Sequence, residues 1–186
     1  MKKNAGIIFQ GKSRKGTDFI IRYPKMSDLR ELWIYINKLS KERTFVMYQG
    51  EKVSLCERKE WLEKSIERIK ERKEIGLSAF VGKKVIGMSG VRMGNRVKKH
   101  VGNFGISIDK RYRGEGIGWS LMNTVIKEAR KKLKGLKIVV LEVFSENKVG
   151  INLYRKMGFK KFSFLPNGLI YKGKYIADVG MYKKIK

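Results

Sequence analysis

VGNFGISIDKRYRGEGIGWSLMNTVIKEAR, residues 101–130, decides the fold. Phe104, Ile106 and Ile108 alternate with smaller or polar residues, the period of a strand. Arg113, Gly114, Glu115, Gly116, Ile117 and Gly118 follow at once. Leu121, Met122, Val125, Ile126 and Ala129 then recur at helical spacing. A glycine turn that feeds a helix start gathers free N–H groups at the positive end of the helix dipole, which makes an anion cradle. Glycine also lets a phosphate come close, because no Cβ stands in the way. The glycines of this bend are spaced by two throughout, unlike the dinucleotide fingerprint Gly-x-Gly-x-x-Gly, and the bend lacks the Gly-Lys-Ser/Thr that a Walker loop needs. Taken alone, the same residues also suit a glycine turn capping an ordinary helix.

A second constellation lies downstream. EVFSENKVGINLYRKMGF, residues 142–159, reads as a strand end, an Asn147 helix cap, and a short helix closed by Gly158 and Phe159. With Arg-x-x-Gly-x-Gly between strand and helix, followed by Asn147, Leu153, Tyr154, Gly158 and Phe159, the chain resembles the GCN5-related N-acetyltransferases (GNAT). The resemblance covers about residues 84–181 and is best at 101–159. Gly150 stands where the family usually has Ala.

The resemblance implies an α/β (α+β) GNAT fold. Its sheet is mixed and mostly antiparallel, with six to seven strands and about four flanking helices. The fourth and fifth strands run parallel and splay apart. It implies acetyl-CoA as co-substrate and no metal. The pantetheine arm would bond to Ile106, Ser107 and Ile108, with Asn147 adding its amide. The diphosphate would sit on the main chain from Gly114 through Glu115, Gly116, Ile117 and Gly118 to Trp119, with Arg113 adding charge. Tyr154 would give the leaving thiolate its proton. Many relatives carry a base, Glu, at the position of Asn103. An amide cannot take a proton at useful pH, so His100, Glu142 or a water chain is left for the task.

Bulk properties set limits around this reading. At 186 residues, 42% hydrophobic and 11% aromatic, the chain suits one ordered domain rather than a disordered one. No apolar run approaches the ~20 residues of a membrane span. Residues 1–17 are basic without a long apolar stretch, unlike a signal peptide, and are expected to be a flexible lead-in to one acetyltransferase domain at 18–186. Cys56 is the only cysteine, so no internal disulfide forms and a cytoplasmic location is expected. It lacks any neighbouring nucleophile signature and reads as structural. The net charge of +27 favours anionic partners such as a nucleic acid or the ribosome, but it is spread over many segments, the pattern of solvated helix faces. The leading expectation is an N-acetyltransferase acting on a protein N-terminus, a lysine or a small amine. The alternative is a non-catalytic CoA-binding or nucleic-acid-associated protein on the same scaffold.

Elsewhere, residues 18–23 read as a first strand, and Ser27 as the cap of a helix to about Leu39. Ser54 with Glu57 makes a capping box for a second helix. Trp33, Phe45, Tyr48 and Trp61 fall where the family walls its acceptor site, although core positions are expected for most of them. Residues 77–81 and 84–93 form a hairpin, and 137–144 is a nearly continuous apolar run, as in a strand covered on both faces. Residues 159–165 and 179–184 close the sheet, and their edge is a possible homodimer contact.

Overall fold

Alternating apolar runs become eight strands: β1 (Ile7–Lys12), β2 (Asp18–Arg22), β3 (Glu74–Val81), β4 (Lys84–Met93), β5 (Val101–Ile108), β6 (Ile138–Phe144), β7 (Lys160–Tyr171) and β8 (Lys174–Lys184). They form one sheet in the order β1-β2-β3-β4-β5-β6-β8-β7. This computed structural model describes residues 6–185. Four helices accompany the sheet: α1 (Leu29–Lys41), α2 (Leu55–Lys70), α3 (Ile117–Lys132) and α4 (Lys148–Lys156). Among the described residues, no helix is long and apolar enough to cross a membrane.

Only β5 and β6 pair in parallel, as α3 between them requires; every other neighbouring pair is antiparallel. They are the expected fourth and fifth strands, shifted by one because the segment expected to be a lead-in carries β1. The correction has a simple cause. The isolated hexapeptide IIFQGK has weak periodicity, but Phe9 to Lys12 find partners on β2 from Ile21 to Asp18. Strand identity here comes from pairing rather than local preference. A second small correction concerns α1. Asp28, not Ser27, secures its start, accepting Lys25 N–H at 2.8 Å and a bidentate pair from Arg22 at 2.7 and 2.8 Å. The Ser54–Glu57 capping box opens α2 as expected.

The helices divide over the two faces. Ile117, Leu121, Met122, Val125 and Ala129 of α3 are fully buried against Ile75, Leu77 and Val91 of the sheet. Ile151 and Tyr154 of α4 join that core. On the other face, Leu32, Tyr35, Ile36 and Leu39 of α1 pack with Leu62 of α2 over Phe80 and Val85. Burying a side chain of this size contributes roughly 1.5–3 kcal/mol. The two layers hold the strands between them rigidly, and that fixes the site.

Candidate functional site

The parallel pair is short. Val101, Gly102 and Asn103 pair with Ile138, Val139 and Val140, and there the register ends. Beyond it β5 stays on β4 as far as Ile108 opposite Gly87, while β6 stays on β8 as far as Phe144 opposite Asp178. The strands therefore fork. Asp109 N–H donates to Ile86 and Gly94 N–H to Val101, so the odd-numbered residues of β5 exchange their bonds with β4. The main-chain groups of Phe104, Ile106 and Ile108 turn to the fork. Those of Ser107 are engaged with Met88; only its hydroxyl is left, 2.9 Å from the Tyr35 hydroxyl.

Tyr154 reaches the fork from α4. Its ring meets Phe104 edge-on, centroids 6.3 Å apart, and Phe159 at 6.1 Å. The ring is buried, yet its hydroxyl has no hydrogen-bond partner among the described residues and borders a cavity of about 410 Å³. Burial pushes its pKa up to about 12, so the phenol keeps its proton at neutral pH. Asn147 caps α4, its Oδ1 accepting Gly150 N–H at 2.9 Å. A Cβ at Gly150 would meet that amide at 2.7 Å, so glycine at this position suits the way this chain seats Asn147.

The glycine bend follows β5. Asp109 starts it by accepting Arg111 N–H at 3.0 Å and Lys38 at 2.5 Å. Burial alone would raise the Asp109 pKa, but hydrogen bonds from Arg111 and Lys38 prevail and hold it at about 2. Gly114 and Gly116 have φ of 77° and 86°, a region other residues enter at a cost. Open space surrounds the Cβ position of Gly114. From Gly114 to Trp119 the N–H groups find no acceptor among the described residues, so the donors and the room that a phosphate needs coincide.

Two side chains of the bend are committed elsewhere. Glu115 is buried and accepts Ser13 Oγ at 2.7 Å; its carbonyl accepts Arg14 N–H at 2.9 Å. Ile117 is wholly core. Arg113 donates to the Ile108 carbonyl at 2.9 Å and pairs with Glu42 at 2.5 Å, so its charge is already neutralised in this arrangement. Trp119 is 44% exposed on the first turn of α3.

The side of the cavity formed by α2 and the segment between α1 and α2 holds more aromatic surface than expected. Phe45, Tyr48 and Trp61 all line it, whereas Trp33 is structural, donating to Val53 at 2.8 Å. Phe45 rests on Phe144 and Tyr171, centroids 5.8 and 5.0 Å away. Glu142 opens on the cavity; His100 is exposed at the other end of β5, and Asn103 sits at the fork's closed point. Cys56, expected to be structural, is exposed on the first turn of α2. Sequence reading missed Arg58. It is buried in the cavity wall, and the available signal was its spacing, four residues before Leu62 on the inner stripe of α2.

Comparison with known proteins agrees with this architecture. An N-alpha-acetyltransferase of Sulfurisphaera tokodaii is 29% identical over 164 residues, 82% of this chain and 87% of that protein. An L-amino acid N-acetyltransferase of Escherichia coli is 31% identical over 121 residues, 61% of this chain and 74% of that one. The crystal structure of a GNAT-family acetyltransferase from Streptococcus pneumoniae superposes with a TM-score of 0.82 at 28% identity, covering 90% of this chain and 99% of that one. The acetyltransferase (GNAT) family model matches residues 33–159, which hold the fork, the bend and Tyr154, and the chain belongs to that family.

Proposed function

We propose that the protein is an acetyl-CoA-dependent N-acetyltransferase that passes the acetyl group directly to a primary amine within a ternary complex. The observation that carries this reading is the fork. Strand pairing stops after Asn103 and Val140, and the phenol of Tyr154 stands at the opening. Ile106 and the N–H of Ile108, whose carbonyl already accepts Arg113, offer main-chain groups there to the amides of a pantetheine arm, much as to an added strand. The donors from Gly114 to Trp119, at the positive end of α3, receive the diphosphate. Asn147 keeps its amide nitrogen for the same arm, and Ser107 contributes its hydroxyl to the wall.

The chemistry needs a neutral amine, a polarised thioester carbonyl and a proton for the departing sulfur. An unpaired N–H of β5 polarises the carbonyl. Tyr154 donates the proton, and its raised pKa keeps that proton available. Glu142, on the same cavity, draws in the ammonium group and accepts its proton through water. His100 lies too far along β5 for that part. The two relatives with named activities differ in acceptor, an N-alpha-acetyltransferase and an L-amino acid N-acetyltransferase, so the family leaves the acceptor open. Calorimetry with coenzyme A, followed by a thiol-release assay over amine and peptide panels, tests the reading. Heat on titration and thiol release with at least one amine are expected. Absence of both overturns it.

A further inference from the structure

The cavity contains a cation with no counter-ion. Arg58 is only 5% exposed. Its guanidinium lies flat on Trp61, 3.8 Å from the ring centroid, and Nη2 touches the Met88 sulfur at 3.1 Å. Its Nε has no hydrogen-bond partner, and no carboxylate stands within ion-pair distance of it among the described residues. The contrast with Arg22, held bidentately by Asp28, is plain. Of the two acids that line the cavity, Glu74 is already taken by Ser65 at 2.6 Å and Arg68 at 2.6 Å, and Glu142 makes no ion pair with Arg58. Burial lowers the Arg58 pKa to about 10, which still leaves a full charge at neutral pH.

A second group in the same wall is also without a partner. Ser78 is 1% exposed, lines the cavity, and its hydroxyl has no hydrogen-bond partner among the described residues. It sits on β3 directly opposite Met88, the residue that the guanidinium touches. Buried polar groups are nearly always satisfied, and unpaired charges are rarely kept. A guanidinium over Met88 with an unpaired Nε, and an unpaired hydroxyl opposite Met88 in register, are the donors that an oxyanion needs.

Resting on the transferase reading above, we propose that Arg58 and Ser78 bind the carboxylate of the acceptor, so that the acceptor is a free amino acid or a close analogue of that size. Ser78, Met88 and Ser107 form one row across β3, β4 and β5. Strands lie about 4.8 Å apart, so the anion site over β4 is one to two strand spacings from the fork. A carboxylate carbon lies only about 2.5–4 Å from an amine one or two carbons away, so the guanidinium reaching over β4 from one side and the acetyl group extending over β5 from the other make up the rest of that interval. The guanidinium and hydroxyl hold the acid end, and Glu142 attracts the ammonium end toward the fork. Arg58 and Ser78 are positioning groups for specificity; neither touches the reacting atoms.

The test uses matched acceptors on the wild-type chain: L-amino acids, their α-amides, and short peptides with the same N-terminal residue. At least one free acid is expected to exceed its amide by about 100-fold in kcat/KM, since losing one partner of a buried charge pair is costly. Arg58→Gln should erase that preference by lowering the rate for the acid only, with coenzyme A affinity held in calorimetry. Equal rates for acids and amides, rates with amides or peptides alone, or no response to any acid by a protein that binds coenzyme A, overturn the proposal. Failure to bind coenzyme A together with no thiol release overturns the underlying reading instead.

Discussion

The two halves of β5 have opposite surroundings. In the first half, Gly102 lies so close to its neighbours that a Cβ would come 2.5 Å from Val91 and 2.9 Å from Leu136, and the strand is zipped to β4 and β6 alike. The carbonyl of His100 accepts both Lys137 and Ile138 N–H there. In the second half, where the parallel register has ended, the rings of Phe104, Tyr154 and Phe159 pack together, and main-chain groups that a continuous sheet would pair are left open. One half spends every hydrogen bond on stability. The other withholds them and leaves Ile106 facing the cavity. In the proposed reading, binding capacity is pairing that was interrupted, and the closed half keeps the interruption in place.

Four expected outcomes probe that contrast. The largest lies in the open half. Tyr154→Phe should lower kcat by roughly 100-fold or more while coenzyme A affinity in calorimetry stays nearly constant. An equal loss of both would make the ring a binding wall and not an acid. Next comes the closed half. Gly102→Ala should cost about 1–3 kcal/mol in denaturant unfolding, by overpacking against Val91 and Leu136. An unchanged midpoint would mean the strands can move apart there as freely as at the fork.

The third outcome concerns Asp109, which ends the open half. Its folded pKa lies near 2, below the unfolded carboxylate value of about 3.9. Its contribution is therefore complete above about pH 4 and is lost as the pH falls through about 2. The wild type should lose roughly 2 kcal/mol more than Asp109→Asn between pH 5 and pH 2, measured by urea unfolding. Parallel loss in both proteins would assign the acid sensitivity to other carboxylates. The smallest effect is at the far end of the strand. His100→Ala should change turnover less than about twofold, because its ring is exposed away from the cavity and only its carbonyl is used. A shifted pH–rate profile would return the histidine to the mechanism.

How much of this was legible in the sequence follows the range of the interactions. The bend at Gly114 and Gly116 was readable because positive φ is a local demand that glycine meets. Asn147 and the Ser54–Glu57 box were readable for the same reason, since a cap needs only three or four neighbours. β1 was not, because its strand character depends on β2. Nor was the commitment of Arg113 to Glu42, a partner 71 positions away. Arg58 was hidden by numbers: among 44 lysines and arginines, nothing in composition marks a residue that faces inward without a carboxylate partner.

The brace on the glycine bend has a practical side. The loop between β1 and β2 supplies Ser13 to the Glu115 carboxylate and Arg14 to its carbonyl, so the floor of the proposed diphosphate cradle is anchored by the chain's opening segment. Trimming those residues to tidy the protein for crystallisation, or crowding them with a purification tag, would leave α3, α4 and both main cores standing. The damage would surface as weakened coenzyme affinity in a well-folded sample, and would easily be mistaken for an inactive enzyme.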